Sequence, residues 1–234
     1  MAASPPPKRR RTRQIGDGED AVDASVSPKL SPVVVFAHGA GSPSTSEWMI
    51  RWKKMLEKAV DAVEVVTFDY PYLAGGKRGA PPKAEKLVDF HLDVVKKTNV
   101  KYPGHPLILA GKSMGSRVSC MVANHEDARA SAVICLGYPL KGMRGAMRDE
   151  ILLQLVTPVI FIQGSKDSLC PLDKLEAVRK KINSPTQLHV VEGGDHSFKI
   201  AKKHLLATGS TQEDAEQGAI QAIADFVSSS LHGG

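Results

Sequence analysis

The chain has 234 residues, 42% of them apolar, and a formal net charge of +6. That is enough for one domain with a sizeable core, and no apolar run approaches the roughly 18 residues of a membrane-spanning helix. Its three cysteines, Cys120, Cys135 and Cys170, are scattered and odd in number, which fits a reducing compartment and argues against a disulfide framework or a C-x-x-C metal site.

Residues 1–31 offer little that could pack. Prolines lead into Lys8, Arg9, Arg10, Arg11 and Arg13, and an acidic patch and a Ser/Pro spacer follow. This composition predicts a disordered tail and not a secretory leader, which would be apolar. The basic run resembles a short nuclear-import signal and equally fits a solvated tail, so the expected location is cytoplasmic, nuclear or both. Such a tail could touch nucleic acid non-specifically. The rest of the chain carries no nucleic-acid module, so specific nucleic-acid binding is not expected.

The folded domain is expected from 32 to 234. Val33-Val34-Val35-Phe36-Ala37 reads as a strand buried on both faces, ending in His38-Gly39-Ala40-Gly41. A helix is predicted over 46–62, with Ser46 as N-cap and Trp48, Met49, Trp52, Met55, Leu56 and Ala59 at helical spacing. The pair Trp48 and Trp52 reads as helix packing. A strand over 63–70, a Gly/Pro/Lys loop over 74–83 and a helix over 84–98 follow. Leu107 to Ala110 form the next strand and run straight into Gly111-Lys112-Ser113-Met114-Gly115. Apolar residues at helical spacing come after it.

That stretch is G-x-S-x-G between a buried strand and a helix. A turn so tight strains the serine backbone and leaves no room for side chains at 111 and 115, which Gly111 and Gly115 provide. Ser113 is then exposed at the strand tip, at the positive end of a helix. The pentapeptide alone could arise by chance at a strand–glycine–helix junction. A phosphate loop is excluded, because G-x-x-x-x-G-K-[ST] would need glycine where Pro106 stands.

Further strands are predicted over 131–136, 158–163 and 187–191, with a partly helical segment over 141–155 and helices over 172–182 and 211–229. Thr211 and Asp214 resemble a capping box. Six strands alternating with helices imply an α/β fold: a mostly parallel, doubly wound sheet with helices on both faces. Its site should lie at the carboxyl ends of the strands. Four strand ends carry polar chemistry there: the His38 turn, Ser113, Asp167 and His196. Asp195 and Asp173 rival Asp167 for the acid, but neighbours in sequence seldom face one another and Asp173 lies beyond the strand end.

The order Ser, Asp, His belongs to the α/β-hydrolases. From about Pro32 to His232 the chain resembles a small α/β-hydrolase. The group it looks most like is the testis-expressed protein 30-like family, related to a hydrolase-like domain of a chromatin acetyltransferase complex subunit and more distantly to dienelactone hydrolases. The residues carrying the likeness are Phe36 to Gly41, Phe68-Asp69-Tyr70-Pro71-Tyr72, Gly111 to Ser116, Gln163 to Asp167 and Gly194 to Phe198. Dienelactone hydrolases use a cysteine nucleophile, whereas the elbow here holds serine.

Acyl transfer assigns the roles. Ser113 is the nucleophile, His196 the base and Asp167 the orienting acid. The N–H groups of Met114 and Ala40 are the expected oxyanion donors, in a turn shaped by His38, Gly39 and Gly41. No cofactor and no metal are implied. The segment 139–157, where related hydrolases insert a lid, is short and contains Lys141, Arg144 and Arg148. An open cleft for small or extended esters or thioesters follows, with the basic residues favouring an anionic or polar acyl donor. The alternative is a non-catalytic hydrolase-like scaffold that binds protein partners, in the nucleus. The sequence says nothing of oligomeric state.

Overall fold

The computed structural model describes residues 1–4, 30–77, 79–142 and 145–232. The basic run at Lys8 to Arg13, most of the tail around it, and Arg144 lie outside the described residues. Six strands form one sheet: β1 (Val33–Ala37), β2 (Glu64–Phe68), β3 (Leu107–Lys112), β4 (Ala130–Leu136), β5 (Val159–Gly164) and β6 (Thr186–Val191). They stand in the order β2-β1-β3-β4-β5-β6, and every pairing is parallel.

The alternation of side chains explains the apolar runs. Val33, Val35, Leu107, Leu109, Val133 and Phe161 face one way, into a core shared with α2 (Val88–Lys101), α3 (Met114–Ala123) and α5 (Leu172–Arg179). Val34, Phe36, Ile108, Ile134 and Ile162 face the other, against α1 (Glu47–Ala59) and α7 (Gln212–His232). Both faces are covered, so a strand such as β1 has no polar side to show. The doubly wound sheet read from the sequence is the one observed. Among the described residues no helix is long and apolar enough to cross a membrane.

Local details differ from expectation in instructive places. Ser46 occupies the N-cap position of α1, but its hydroxyl makes no capping bond and is buried without a partner. The helix read as 84–98 opens with a 3-10 turn, Ala84–Leu87, and its α part runs on to Lys101. Between β4 and β5, the described residues include α4 (Glu150–Leu153), with a bridge from Lys141 to Met147 before it, so the α-helical part of this segment lies near its end. The short α6 (Lys202–Thr208) was not foreseen. It buries no residue fully, so its sequence carries no apolar stripe, and Gly209 ends it at φ +64°. The capping box of α7 forms: Asp214 N–H donates to Thr211 Oγ1 at 3.0 Å, and Thr211 N–H to Asp214 Oδ2 at 2.9 Å.

The strand order reverses between β1 and β3, and crevices in such sheets open at that point. Two glycines let the backbone close up there. A Cβ on Gly111 would lie 2.3 Å from the backbone of Gly115 and Ser116, and one on Gly115 would lie 2.5 Å from the Ala37 carbonyl oxygen. Gly41, by contrast, faces open space, and a Cβ on Gly39 would make only ordinary contacts. Gly111→Ala or Gly115→Ala should therefore destabilise the fold by about 3 kcal/mol, whereas Gly41→Ala should change stability by less than about 0.5 kcal/mol. Urea unfolding of the three variants measures the contrast.

Candidate active site

At the end of β3 the chain reverses through Ser113, whose φ of 51° and ψ of −114° are strained for any residue with a side chain. Strain of this kind costs roughly 1–3 kcal/mol and persists only where neighbours enforce it. They do so here. Ser113 N–H donates to the Leu136 carbonyl on β4 at 3.0 Å. Its own carbonyl accepts from the Ser116 hydroxyl at 2.6 Å and the Ser116 N–H at 3.0 Å. The Ser113 hydroxyl is left free to point away from the sheet.

His196 lies in the turn after β6, and Asp167 in the turn after β5. His196 Nε2 is 2.7 Å from Ser113 Oγ, and His196 Nδ1 is 2.6 Å from Asp167 Oδ2. Asp167 is buried, and burial alone would raise its pKa. The hydrogen bond and charge of His196, the Leu169 N–H and the Gln163 amide outweigh that and hold it below the ordinary carboxylate range. The carboxylate is ionised at neutral pH and must accept, so the imidazole carries its proton on Nδ1. Nε2 is then the acceptor facing the serine hydroxyl.

Neither rival acid takes part. Asp195 Oδ1 instead accepts from the Ser197 and Lys199 N–H groups at 2.8 and 2.9 Å, closing its own turn. Asp173 lies on the exposed first turn of α5. Two further glycines bring the histidine turn against the strand ends. A Cβ on Gly164 would lie 2.3 Å from the carbonyl oxygens of Gly194 and Asp195, and one on Gly137 would lie 2.9 Å from that of His196.

The His38 turn closes the opposite side. His38 Nε2 accepts from Tyr70 N–H at 3.0 Å, which leaves Nδ1 to donate to the Gly39 carbonyl at 2.6 Å. Burial, opposed by that carbonyl and by Asp69, lowers its pKa, so the ring is a neutral strut. The Tyr72 hydroxyl reaches the Ala40 carbonyl at 3.1 Å. With these carbonyls held on the far side, the N–H groups of Ala40 and Met114 have no acceptor among the described residues.

A cleft of about 350 Å³ opens over Ser113 and His196, walled by Gly39 to Ser42, Trp48, Met49, Lys112 and Leu169. A larger concavity of about 690 Å³ lies at the opposite, amino ends of the strands among Pro106, Pro158 and Pro185. It holds none of the groups just described. Lys141 and Arg148 do not line the cleft over Ser113. The Arg148 guanidinium turns to the Pro139 carbonyl, so its charge is directed elsewhere than the sequence reading supposed. The cation in the cleft wall is Lys112. Among the described residues, no group of three or more His, Cys, Asp or Glu side chains is arranged to hold a metal ion.

Several residues with a role here were assigned none from the sequence. Gln163 is a lone polar residue in the apolar run of β5, and that interruption was its signal. Gly137 and Tyr72 sit in short strand-end motifs that differ little from ordinary turns. Trp48 does pack in α1, stacked on Trp52 at 5.1 Å, but it also walls the cleft.

A serine, imidazole and carboxylate in contact at the carboxyl edge of a doubly wound parallel sheet are the features of a hydrolase of the α/β class. The chain belongs to the alpha/beta hydrolase family: the model of the Alpha/beta hydrolase domain matches residues 31–228. Solved structures share the fold. One is an alpha-beta serine hydrolase homologue from Coxiella burnetii, 21% identical, with a TM-score of 0.60 over 81% of this chain and 85% of that one. Another is dienelactone hydrolase from Anabaena variabilis, at 17% identity and a TM-score of 0.60, covering 82% and 87% of the two chains. A third is XC6422 from Xanthomonas campestris, described as an a/b serine hydrolase without lid, at 18% identity and a TM-score of 0.58 over 81% of each chain.

The strain at Ser113 can be measured directly. Glycine tolerates that backbone geometry, so Ser113→Gly should be more stable than Ser113→Ala by about 1 kcal/mol, despite glycine's larger unfolded-state entropy. Paired urea titrations of the two variants decide it.

Proposed function

We propose that this protein is a serine hydrolase that cleaves carboxylic ester or thioester bonds through an acyl-enzyme intermediate. The observation that carries the reading is the unbroken chain from Ser113 Oγ through the His196 ring to Asp167 Oδ2, at 2.7 and 2.6 Å. His196 Nε2 takes the serine proton as Oγ attacks the acyl carbon, and the imidazolium that forms is stabilised by the Asp167 carboxylate. The carbonyl π pair moves onto oxygen. The unpartnered N–H groups of Ala40 and Met114 receive that oxyanion, each worth roughly 3–4 kcal/mol in the transition state. Collapse expels the alcohol or thiol, protonated by His196. Water then enters by the reverse of the same steps and releases the acid.

The cleft supports small or extended acyl groups. Among the described residues, the segment between β4 and β5 contributes one short α-helix and a bridge, and its Lys141 and Arg148 do not line the cleft. The Xanthomonas relative is likewise described as lacking a lid. The reducing-compartment cysteine pattern and the basic run near the N-terminus support a cytoplasmic or nuclear location.

The second reading, a hydrolase-like scaffold for protein partners, is favoured by that basic run and by the likeness to a chromatin-complex subunit. A scaffold has no use for an ionised, triply hydrogen-bonded Asp167 behind a correctly protonated imidazole, so the enzyme reading is preferred.

A fluorophosphonate probe should label the wild-type protein and leave Ser113→Ala unlabelled; absence of labelling on folded wild-type protein would favour the scaffold. Asp167→Asn should lower kcat on the order of 10⁴-fold by presenting the wrong tautomer. Among aryl esters, short acyl chains should be turned over faster than long ones, and the reverse preference would refute the open-cleft reading.

A further inference from the structure

Lys112 occupies the variable position before the elbow serine, where a solvent-facing side chain would serve. Instead it is only 8% exposed. Its ammonium donates to the backbone carbonyl of His196. It also lies over two aromatic faces, 5.4 Å from the Trp48 ring centre and 5.5 Å from that of Phe198. Trp48 in turn donates its indole N–H to the carbonyl of Ser197 at 3.1 Å. Two successive carbonyls of the histidine turn are thus held by two side chains that contact each other, from β3 and from α1.

The turn needs such restraint. Phe198 is buried at φ 67°, a left-handed conformation that a bulky aromatic residue seldom adopts. Gly137 lets the turn approach so closely that a Cβ there would meet both the His196 carbonyl and Lys112 Nζ. A buried ammonium is itself unfavourable unless it is hydrogen-bonded or offset by nearby charge or ring faces. The contacts of the Lys112 ammonium are one backbone carbonyl and two rings, with the charges of Asp167 and Asp195 nearby, so the cation is stabilised in large part by the turn that it holds.

We propose that Lys112 is a positioning residue of the hydrolase: its ammonium, held between Trp48 and Phe198, fixes the main chain of His196 and so keeps the imidazole in reach of Ser113. This rests on the serine hydrolase reading for its kinetic consequences, while the geometric claim can be tested separately.

The proposal has a pH signature. Burial lowers the Lys112 pKa to about 8, opposed by Asp167 in the turn after β5 and Asp195 in the turn after β6. The imidazole of His196 shares the latter turn, and Trp48 on α1 and Gly137 after β4 add no charge. Above about pH 8 the neutral amine keeps a weaker hydrogen bond and loses its attraction to the rings. Turnover should then fall to a lower plateau.

The test compares wild type with Lys112→Met, which preserves length and apolar packing, using p-nitrophenyl acetate between pH 6 and 10. Lys112→Met should lower kcat by roughly 30-fold, leave KM within about threefold, and lack the alkaline step near pH 8. Proton NMR supplies a readout independent of turnover: the downfield Nδ1 proton of His196 should be resolved in wild type and exchange-broadened in Lys112→Met. If Lys112→Met does not fold, Trp48→Leu should give the same kcat loss and broadening, with Trp48→Phe recovering most of both. A folded Lys112→Met protein with wild-type kcat, or one retaining the alkaline step and a sharp His196 resonance, overturns the proposal. Were wild type to take no fluorophosphonate but show the NMR difference, the hydrolase reading would fail and the positioning role would stand.

Discussion

The constraint on which this molecule depends is a collision avoided. Where β3 ends, the chain must reverse into α3 within the width of one residue, against the end of β1 on one side and β4 on the other. Glycine at 111 and 115 leaves the only room for it, since any Cβ would fall inside neighbouring backbone. The reversal leaves a strained serine whose peptide groups are engaged by the backbone around it and whose hydroxyl faces only the imidazole of His196. Strain and availability are here one fact seen from two directions, because the packing that forces φ positive also takes the side chain out of the sheet.

Around that point the structure supplies rigidity by hydrogen bonding at each strand end. His38 and Tyr72 hold back the carbonyls of one turn, and the Ala40 N–H there has no acceptor among the described residues. Gln163 and Leu169 hold Asp167, which keeps its charge despite burial because donors and the imidazole outweigh desolvation. Lys112 and Trp48 hold the His196 turn. His38, Gln163 and Lys112 sit on or beside strand ends and Trp48 on a helix packed against the sheet, so the loops they hold inherit the stiffness of the sheet.

Much of this could be read from the residues in order. Unbroken apolar runs such as Val33 to Phe36 mean a strand covered on both faces, and six strands interleaved with helices leave few topologies besides a doubly wound parallel sheet. In such a sheet all strand ends of one polarity lie along one edge, which is why Ser113, Asp167 and His196 could be brought together on paper. The supporting residues were harder to see. Lys112 looks like a surface lysine until the fold buries it, and Gln163 like a stray polar residue until Asp167 turns back onto it. The failed cap at Ser46 and the unforeseen α6 have different causes: packing buries the Ser46 hydroxyl away from the helix end, whereas α6 buries no residue and so leaves no apolar period to read. Arg148 shows the limit of charge counting, since its guanidinium is spent on the Pro139 carbonyl.

The sheet order has one more implication. The serine stands on β3, deep in the sheet, but the imidazole hangs from β6, an edge strand whose residues are mostly half-buried. Edge elements open locally at lower free energy than the whole domain unfolds. Fraying of that border would part base from nucleophile while both cores stay intact. Competence for chemistry is therefore governed by the cohesion of the molecule's margin more than by the stability of its centre.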